Sequence, residues 1–298
     1  MTIEKTGNFQ GHAWEQIDLF WAARRHTLLN FCNSGAILHS RQFVMIHDAC
    51  VYRHPEFFGK NYRLLHQTLG KLLAKNSLIG TVSKFSRCEL ATLLNIPPQS
   101  IGVFYNGLDH MSRVQPEPAI IQKHSLQNTP YFLCIGSLSK NKNVQVAIDA
   151  ITQLDHKNLR LVVVGGGNKN IFGNQNQKDT DTVIFTGRLS DEEIAALLQH
   201  AKAFVFPSIY EGFGLPPLEA MVMGCPVLAT TADAVMEVCA EYARYFDAND
   251  ASALANLMQQ TLNTANEQTE KQKAYLATFT WEQSARSIAH FIIEKGLI

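Results

Sequence analysis

From residue 131 onward the chain alternates short apolar runs with amphipathic segments: YFLCIG, NVQVAIDAITQL, LRLVVVG, TVIFTG, DEEIAALLQHAKA, FVFPS, PVLAT, AVMEVC, ARYFD and ASALANLMQQTL. A strand covered on both faces reads as a continuous Val/Ile/Leu run, so this repeat predicts a parallel sheet wrapped by helices. Ser190 followed by Glu193 adds a capping box at the start of one helix. The earlier part has the same style over fewer units: QFVMIHD, a helix near 60–75, LIGTVS, a helix near 84–94 and IGVFYN. It reads as a second, smaller sheet. Between the two, residues 113–130 are polar and carry three prolines, which suits a linker with a cleft between the domains. The expected division is 1–112, a linker over 113–130, and 131–281, with the segment 282–298 completing the first domain.

A length of 298 residues fits about two ordinary domains, and 46% hydrophobic with 17% charged residues describes a globular chain. Lys+Arg and Asp+Glu are equal at 26 each, so net charge advertises neither nucleic acid nor an anionic membrane, and no nucleic-acid partner is expected. The six cysteines show no C-x-x-C spacing, several lie in apolar runs, and they read as reduced, buried thiols without zinc or disulfides. No run approaches the roughly 20 apolar residues that span a bilayer, and no leader pattern opens the chain, so a cytoplasmic protein is expected. The stretch WAARRHTLLNF, 21–31, is basic and apolar enough for peripheral membrane contact or for an ordinary amphipathic connection.

The richest local signal is AFVFPSIYEGFGLPPLEAMVMGCPVLA, 203–229. Two glutamates, Glu211 and Glu219, stand eight positions apart around a Gly/Pro turn between two buried strands. Pro216-Pro217 and Gly224 bracket a short helix that starts at proline and stops at glycine. Glu211 falls just past a strand's carboxyl end and Glu219 in the helix's first turn, both facing the crevice where open parallel sheets bind ligands. Carboxylates accept from paired sugar hydroxyls, while phosphates need donors, which backbone amides at the turn and helix start can supply. Glycine at 212 and 214 lets that backbone approach closely.

These residues resemble the retaining GT-B glycosyltransferases of the family 4 type, whose E-x7-E signature Glu211 and Glu219 match. FLCIGSLSKNKNVQVAIDAI, 132–151, is similar to that family's strand, glycine turn and lysine before a helix, and FTGRLSDEEIAALLQHAKAFVFPS, 185–208, to the segment leading into the signature. FVMIHD, TVSKFSRCEL and YNGLD, within 43–109, resemble the first domain's histidine strand, serine turn and linker start. The resemblance implies two Rossmann-like domains and transfer of a hexose, with mannose preferred, from a nucleotide-diphosphate sugar to a glycan or lipid-linked glycan acceptor in surface polysaccharide biosynthesis, without a metal or cofactor. It implies that Glu211 holds sugar hydroxyls and Glu219 the ribose. Gly212, Phe213, Gly214 and Leu215 would offer amides to the sugar or phosphate, and Lys142, after Gly136 and Ser137, would stabilise the departing diphosphate. Arg188 would assist or line the base pocket, and His47 would serve as a hydrogen-bond donor near the transferred sugar.

Several positions depart from the pattern. The family often has arginines where this chain has Ser137 and Asn141. Only 46 residues precede His47, with no glycine-rich loop after a strand among them, so the expectation is either a start placed late or a shortened homologue whose first sheet lacks its leading strand and helix. A non-catalytic sugar-nucleotide-binding homologue and an epimerase of the same architecture stay open as alternatives. Gly165-Gly166-Gly167 lacks dinucleotide spacing, and Asp179-Thr180-Asp181 precedes a strand, on the edge opposite the crevice.

Overall fold

The structure, a computed structural model, describes residues 5–136, 139–165, 180–264 and 268–298. Ser137, Gly166, Gly167 and Asp179, each singled out in the sequence, lie outside the described residues, as does most of the Asn/Gln-rich stretch near 167–181. The chain divides into two compact units, one of 1–106 with 281–298 and one of 107–280.

The first unit holds a parallel sheet in the order β1-β2-β3-β4, formed by Leu28–Asn30, Gln42–Met45, Leu78–Thr81 and Ile101–Val103. The helix Lys60–Asn76 joins β2 to β3, and Lys84–Leu94 joins β3 to β4, so these two parallel pairs are linked by helical crossovers. Ser83 caps the second of these helices, its hydroxyl accepting from the Ser86 amide. The sheet does have a strand ahead of the histidine strand, contrary to expectation. Leu28, Leu29 and Asn30 pair in parallel register with Gln42, Phe43 and Val44. At three residues, with Leu29 exposed, β1 is too short for a period-2 pattern to show, which is why the 21–31 stretch did not read as a strand.

An aromatic wedge fills this unit. Phe43 is fully buried, with ring contacts to Phe104 at 5.8 Å and to Phe291 at 6.4 Å, and the last two meet at 5.5 Å. Phe291 lies on the helix Trp281–Glu294, so the end of the chain packs on the sheet built from its beginning. Room for the rings comes from two glycines directly paired across β3 and β4, Gly80 and Gly102. A Cβ on Gly80 would stand 2.4 Å from Phe43 Cζ, and one on Gly102 would stand 2.3 Å from Phe104 Cζ.

The second unit is a six-stranded, all-parallel sheet in the order β10-β9-β8-β5-β6-β7. Its strands are β5 Tyr131–Ile135, β6 Arg160–Val164, β7 Val183–Gly187, β8 Ala203–Phe206, β9 Val227–Thr230 and β10 Ala243–Phe246. Each coincides with an apolar run of the predicted alternation. The Ser190/Glu193 capping box is formed, with both reciprocal bonds present. The core under one face joins Phe132, Val163, Val205 and Leu228 of the sheet to Ala147, Ile151, Leu254 and Met258 of the flanking helices.

Residues 113–130 are not a free linker. The helix Ala119–Lys123 buries Ile120 and Ile121, Leu126 is buried after it, and the segment belongs to the second unit, whose boundary falls at Gly107. Three apolar side chains in a polar, proline-containing stretch suffice to dock it, which composition averages conceal. Of the six cysteines, Cys50, Cys134, Cys225 and Cys239 are buried and none of the six forms a disulfide among the described residues; burial pushes the thiols of Cys134, Cys225 and Cys239 up to about 12, leaving them protonated and inert.

Candidate donor site of the second unit

In the second sheet the chain runs outward from β5 to β6 and β7, then returns to lay β8, β9 and β10 on the other side of β5. The order therefore reverses between β5 and β8, and at such a reversal the loops leaving the two carboxyl ends diverge and open a crevice. The loop after β5 carries Gly136 and Lys142, and the loop after β8 carries Glu211 through Gly214. They are tied to each other: the Ile209 amide donates to the Asn141 carbonyl at 2.8 Å. Thr230 on β9 donates its hydroxyl to the Ser208 carbonyl at 2.6 Å, and Asn143 donates its side-chain amide to the Ala248 carbonyl at 2.7 Å.

Across this junction Lys142 Nζ donates to Glu211 Oε1 at 2.6 Å. Lys142 ends a single helical turn, Lys140–Lys142, and its ammonium also sits 5.8 Å from the centre of the Phe206 ring at the end of β8. Gly136 determines the path of the lysine stem. A Cβ there would touch Lys142 Cβ at 3.4 Å and Cγ at 3.5 Å, so a larger residue would press the stem away.

Beyond Glu211 the backbone runs through buried Gly212, Phe213 and Gly214 into the helix Leu215–Val222. Gly214 is the N-cap at φ 118 and ψ 49, a left-handed conformation that side-chain-bearing residues adopt only under strain. A Cβ at 214 would meet its neighbours at an ordinary 3.5 Å, so conformation rather than space calls for glycine here. Pro216 and Pro217 occupy the second and third helical positions and have no N–H. Neither proline can therefore donate a backbone hydrogen bond at this helix start.

Glu219 is the fifth residue of the helix, not part of its first turn, because the helix starts at Leu215 rather than at Pro216. The macrodipole fades within one turn, so a partner other than the helix end holds this carboxylate. That partner is His110, whose Nε2 donates to Glu219 Oε1 at 2.9 Å. His110 was not singled out in the sequence. It directly follows the YNGLD segment but stands 109 positions from Glu219, and nothing local marks the pairing.

Arg188 lies past the end of β7, two strands from β5, exposed, and its guanidinium makes no hydrogen bond or ion pair among the described residues. His47, in the first unit, lies two residues beyond the end of β2. Its Nε2 bonds to the Phe31 carbonyl at 2.7 Å, and since a carbonyl only accepts, the ring proton sits on Nε2. Its backbone amide donates to Asn33 Oδ1 at 2.6 Å. A neutral His47 thus offers Nδ1 as an acceptor, and the expected donor role requires the imidazolium or loss of the Phe31 bond. Among the described residues no group of three His, Cys, Asp or Glu is placed to hold a metal.

Two parallel-sheet α/β units with this strand order define a GT-B Rossmann-like fold, and solved structures agree. HepE from Anabaena in complex with UDP is similar with a TM-score of 0.73 at 19% identity, over 93% of this chain and 81% of that one. Residues 116–277 match the family described as glycosyl transferases group 1, to which this chain belongs. Among curated relatives, O-antigen chain mannosyltransferase B of Escherichia coli is 30% identical over 256 residues, covering 81% of this chain and 67% of the relative. O-antigen chain mannosyltransferase RfbU of Salmonella typhimurium is 28% identical over 272 residues, covering 86% and 73%. The protein is a glycosyltransferase.

Proposed function

We propose that the protein is a retaining, metal-independent hexosyltransferase, acting on a nucleotide-diphosphate sugar and a glycan or lipid-linked glycan acceptor in surface polysaccharide synthesis. The observation that carries this reading is the Lys142–Glu211 pair, 2.6 Å apart, at the switch point of the second sheet. A donor sugar with a diphosphate presents hydroxyls and anionic oxygens side by side. A carboxylate and an ammonium in contact supply one partner for each. In transfer, the bond from the anomeric carbon to the diphosphate oxygen breaks with its electrons leaving on phosphate. An acceptor hydroxyl oxygen bonds the same carbon, and its proton ends on the released nucleoside diphosphate or water. Lys142 would stabilise the charge that grows on the leaving group, Glu211 would accept from the sugar's hydroxyls, and the amides of Phe213, Gly214 and Leu215 would face the sugar or phosphate. Glu219 would accept from the ribose hydroxyls. The names of the two relatives favour mannose as the hexose.

A donor screen by thermal unfolding tests the reading. The true donor's nucleoside diphosphate at a hundred times its dissociation constant should add about 2.7 kcal/mol of stability. By calorimetry, Glu219→Ala should weaken that binding by about tenfold or more, since a buried hydroxyl pair would lose its acceptor. Unchanged affinity in Glu219→Ala and Lys142→Ala together would count against the whole assignment.

The membrane part of the reading rests on charge. The even total hides a segregation that only the division into units reveals: the first unit holds 13 Lys+Arg against 8 Asp+Glu, and the second 13 against 18. The helix Lys60–Asn76 of the positive unit contains Lys60, Arg63, Lys71 and Lys75, no acid, and exposed Tyr62, Leu64 and Leu65. No helix among the described residues is long and apolar enough to cross a membrane. A basic helix with exposed apolar residues suits peripheral contact with an anionic bilayer, at about 1 kcal/mol per basic residue near the surface. Co-sedimentation with phosphatidylglycerol vesicles should exceed that with phosphatidylcholine vesicles and fall on replacing the four basic residues by Gln; equal sedimentation with both lipids would refute the contact.

A further inference from the structure

We infer that His110 is a positioning residue for Glu219 and thereby sets the protein's preference for a nucleotide that carries its ribose 2′-hydroxyl. The inference rests on the proposed role of Glu219 as ribose acceptor and adds to it a residue that neither the sequence pattern nor the relatives assign. Its basis is the geometry of one carboxylate. Nε2 of His110 holds Oε1 at 2.9 Å, with the histidine side chain 39% and the glutamate 24% exposed. A pair this accessible contributes little to folding stability, so its use lies in where it leaves the carboxylate. A glutamate in mid-helix has three side-chain torsions, and their freedom must be given up before two hydroxyls can bind at once. With Oε1 held by the imidazole, the carboxylate plane is set before ligand arrives. Oε2 and the second lone pair of Oε1 then remain to accept from a vicinal diol. Preorganisation of this kind raises affinity without adding a contact to the ligand.

The place of His110 in the chain supports the assignment. It lies four residues into the second unit, which begins at Gly107, just past the segment anchored by the Leu108 amide donating to the Phe279 carbonyl at 2.9 Å. Leu108 is buried and Met111 is buried on the other side. The imidazole is thus delivered to the motif helix from a fixed backbone, a requirement for holding a carboxylate in one place.

Calorimetry with GDP and UDP, and with the 2′-deoxy form of whichever binds, separates the outcomes. Thermal unfolding midpoints of each variant confirm that it is folded. Freezing one side chain is a matter of about 1 kcal/mol, so His110→Ala should weaken ribonucleotide binding by about fivefold to tenfold. His110→Gln, whose side-chain amide can donate to the same oxygen, should restore it to within about threefold. Against the 2′-deoxy ligand the His110→Ala loss should shrink to about twofold, because the diol it prepares for is incomplete. If Glu219→Ala weakens binding and His110→Ala does not, the positioning role is overturned while Glu219 keeps its own. Equal losses in His110→Ala and His110→Gln, or the same loss with both ligands, would also overturn it by revealing a merely structural bond. No effect of Glu219→Ala would remove the ribose reading on which the inference rests.

Discussion

Replacing Lys142 by alanine should lower turnover by about 10²–10³-fold, in line with removing one preorganised donor from a site of developing negative charge. The protein should remain folded, because the ion pair it loses is partly exposed and such pairs contribute about 0–1 kcal/mol. The ammonium is held by Glu211 at 2.6 Å, within a loop pair joined by the Ile209–Asn141 backbone bond. A bound diphosphate would compete for that ammonium, and the competition is strongest when the leaving group carries its full charge. The loss should therefore appear mainly in kcat and less in KM for the donor. Lys142→Arg keeps the charge, yet a planar fork cannot follow the compact stem that passes Gly136, and only partial activity is expected. Steady-state kinetics against the donor identified by thermal unfolding decides the matter; turnover within about threefold of wild type in Lys142→Ala would remove the lysine from the transition state.

The second large effect is on stability. Phe43→Ala should destabilise the first unit by about 3–5 kcal/mol, the usual cost of emptying a fully buried aromatic position. The reason is specific to this sheet. Gly80 and Gly102 leave a slot across β3 and β4 that the rings of Phe43, Phe104 and Phe291 occupy, so emptying the Phe43 position removes ring contacts on two sides at once. Gly80→Ala in the native background places its methyl 2.4 Å from Phe43 Cζ and should cost about 1–3 kcal/mol by overpacking. In the Phe43→Ala background the same methyl enters the cavity, so the two losses should be non-additive by at least about 1 kcal/mol. Denaturant unfolding of the four variants measures this cycle, and simple additivity would show that the glycines are not there for the rings.

The second unit was legible almost strand for strand, because each strand is a short continuous apolar run and each connection an amphipathic helix, and burial on both faces leaves no other arrangement for such runs. The first unit was less so. β1 is three residues long, and its pairing with β2 is a long-range event that no local period records. Residues 113–130 misread as a linker because Ile120, Ile121 and Leu126 dock while their polar neighbours dominate the composition. In the site, Glu211, Gly212, Phe213, Gly214 and Leu215 were found as one contiguous turn, since spacing along the chain is what a sequence displays. The one-residue error at the helix start moved Glu219 out of the first turn and hid the need for His110.

The chain's own order of residues thus determined the two parallel sheets, the glycine and proline turn, and which acids and lysine stand past strand ends. Tertiary structure alone decided that Lys142 and Glu211 meet, that His110 holds Glu219, that His47 commits Nε2 to a carbonyl, and that a neutral chain separates into a positive and a negative unit. The physical reason is range. Hydrophobic periodicity and turn chemistry act between neighbours, whereas a hydrogen bond between residues 109 positions apart exists only after the fold has brought the start of the second unit against the helix Leu215–Val222.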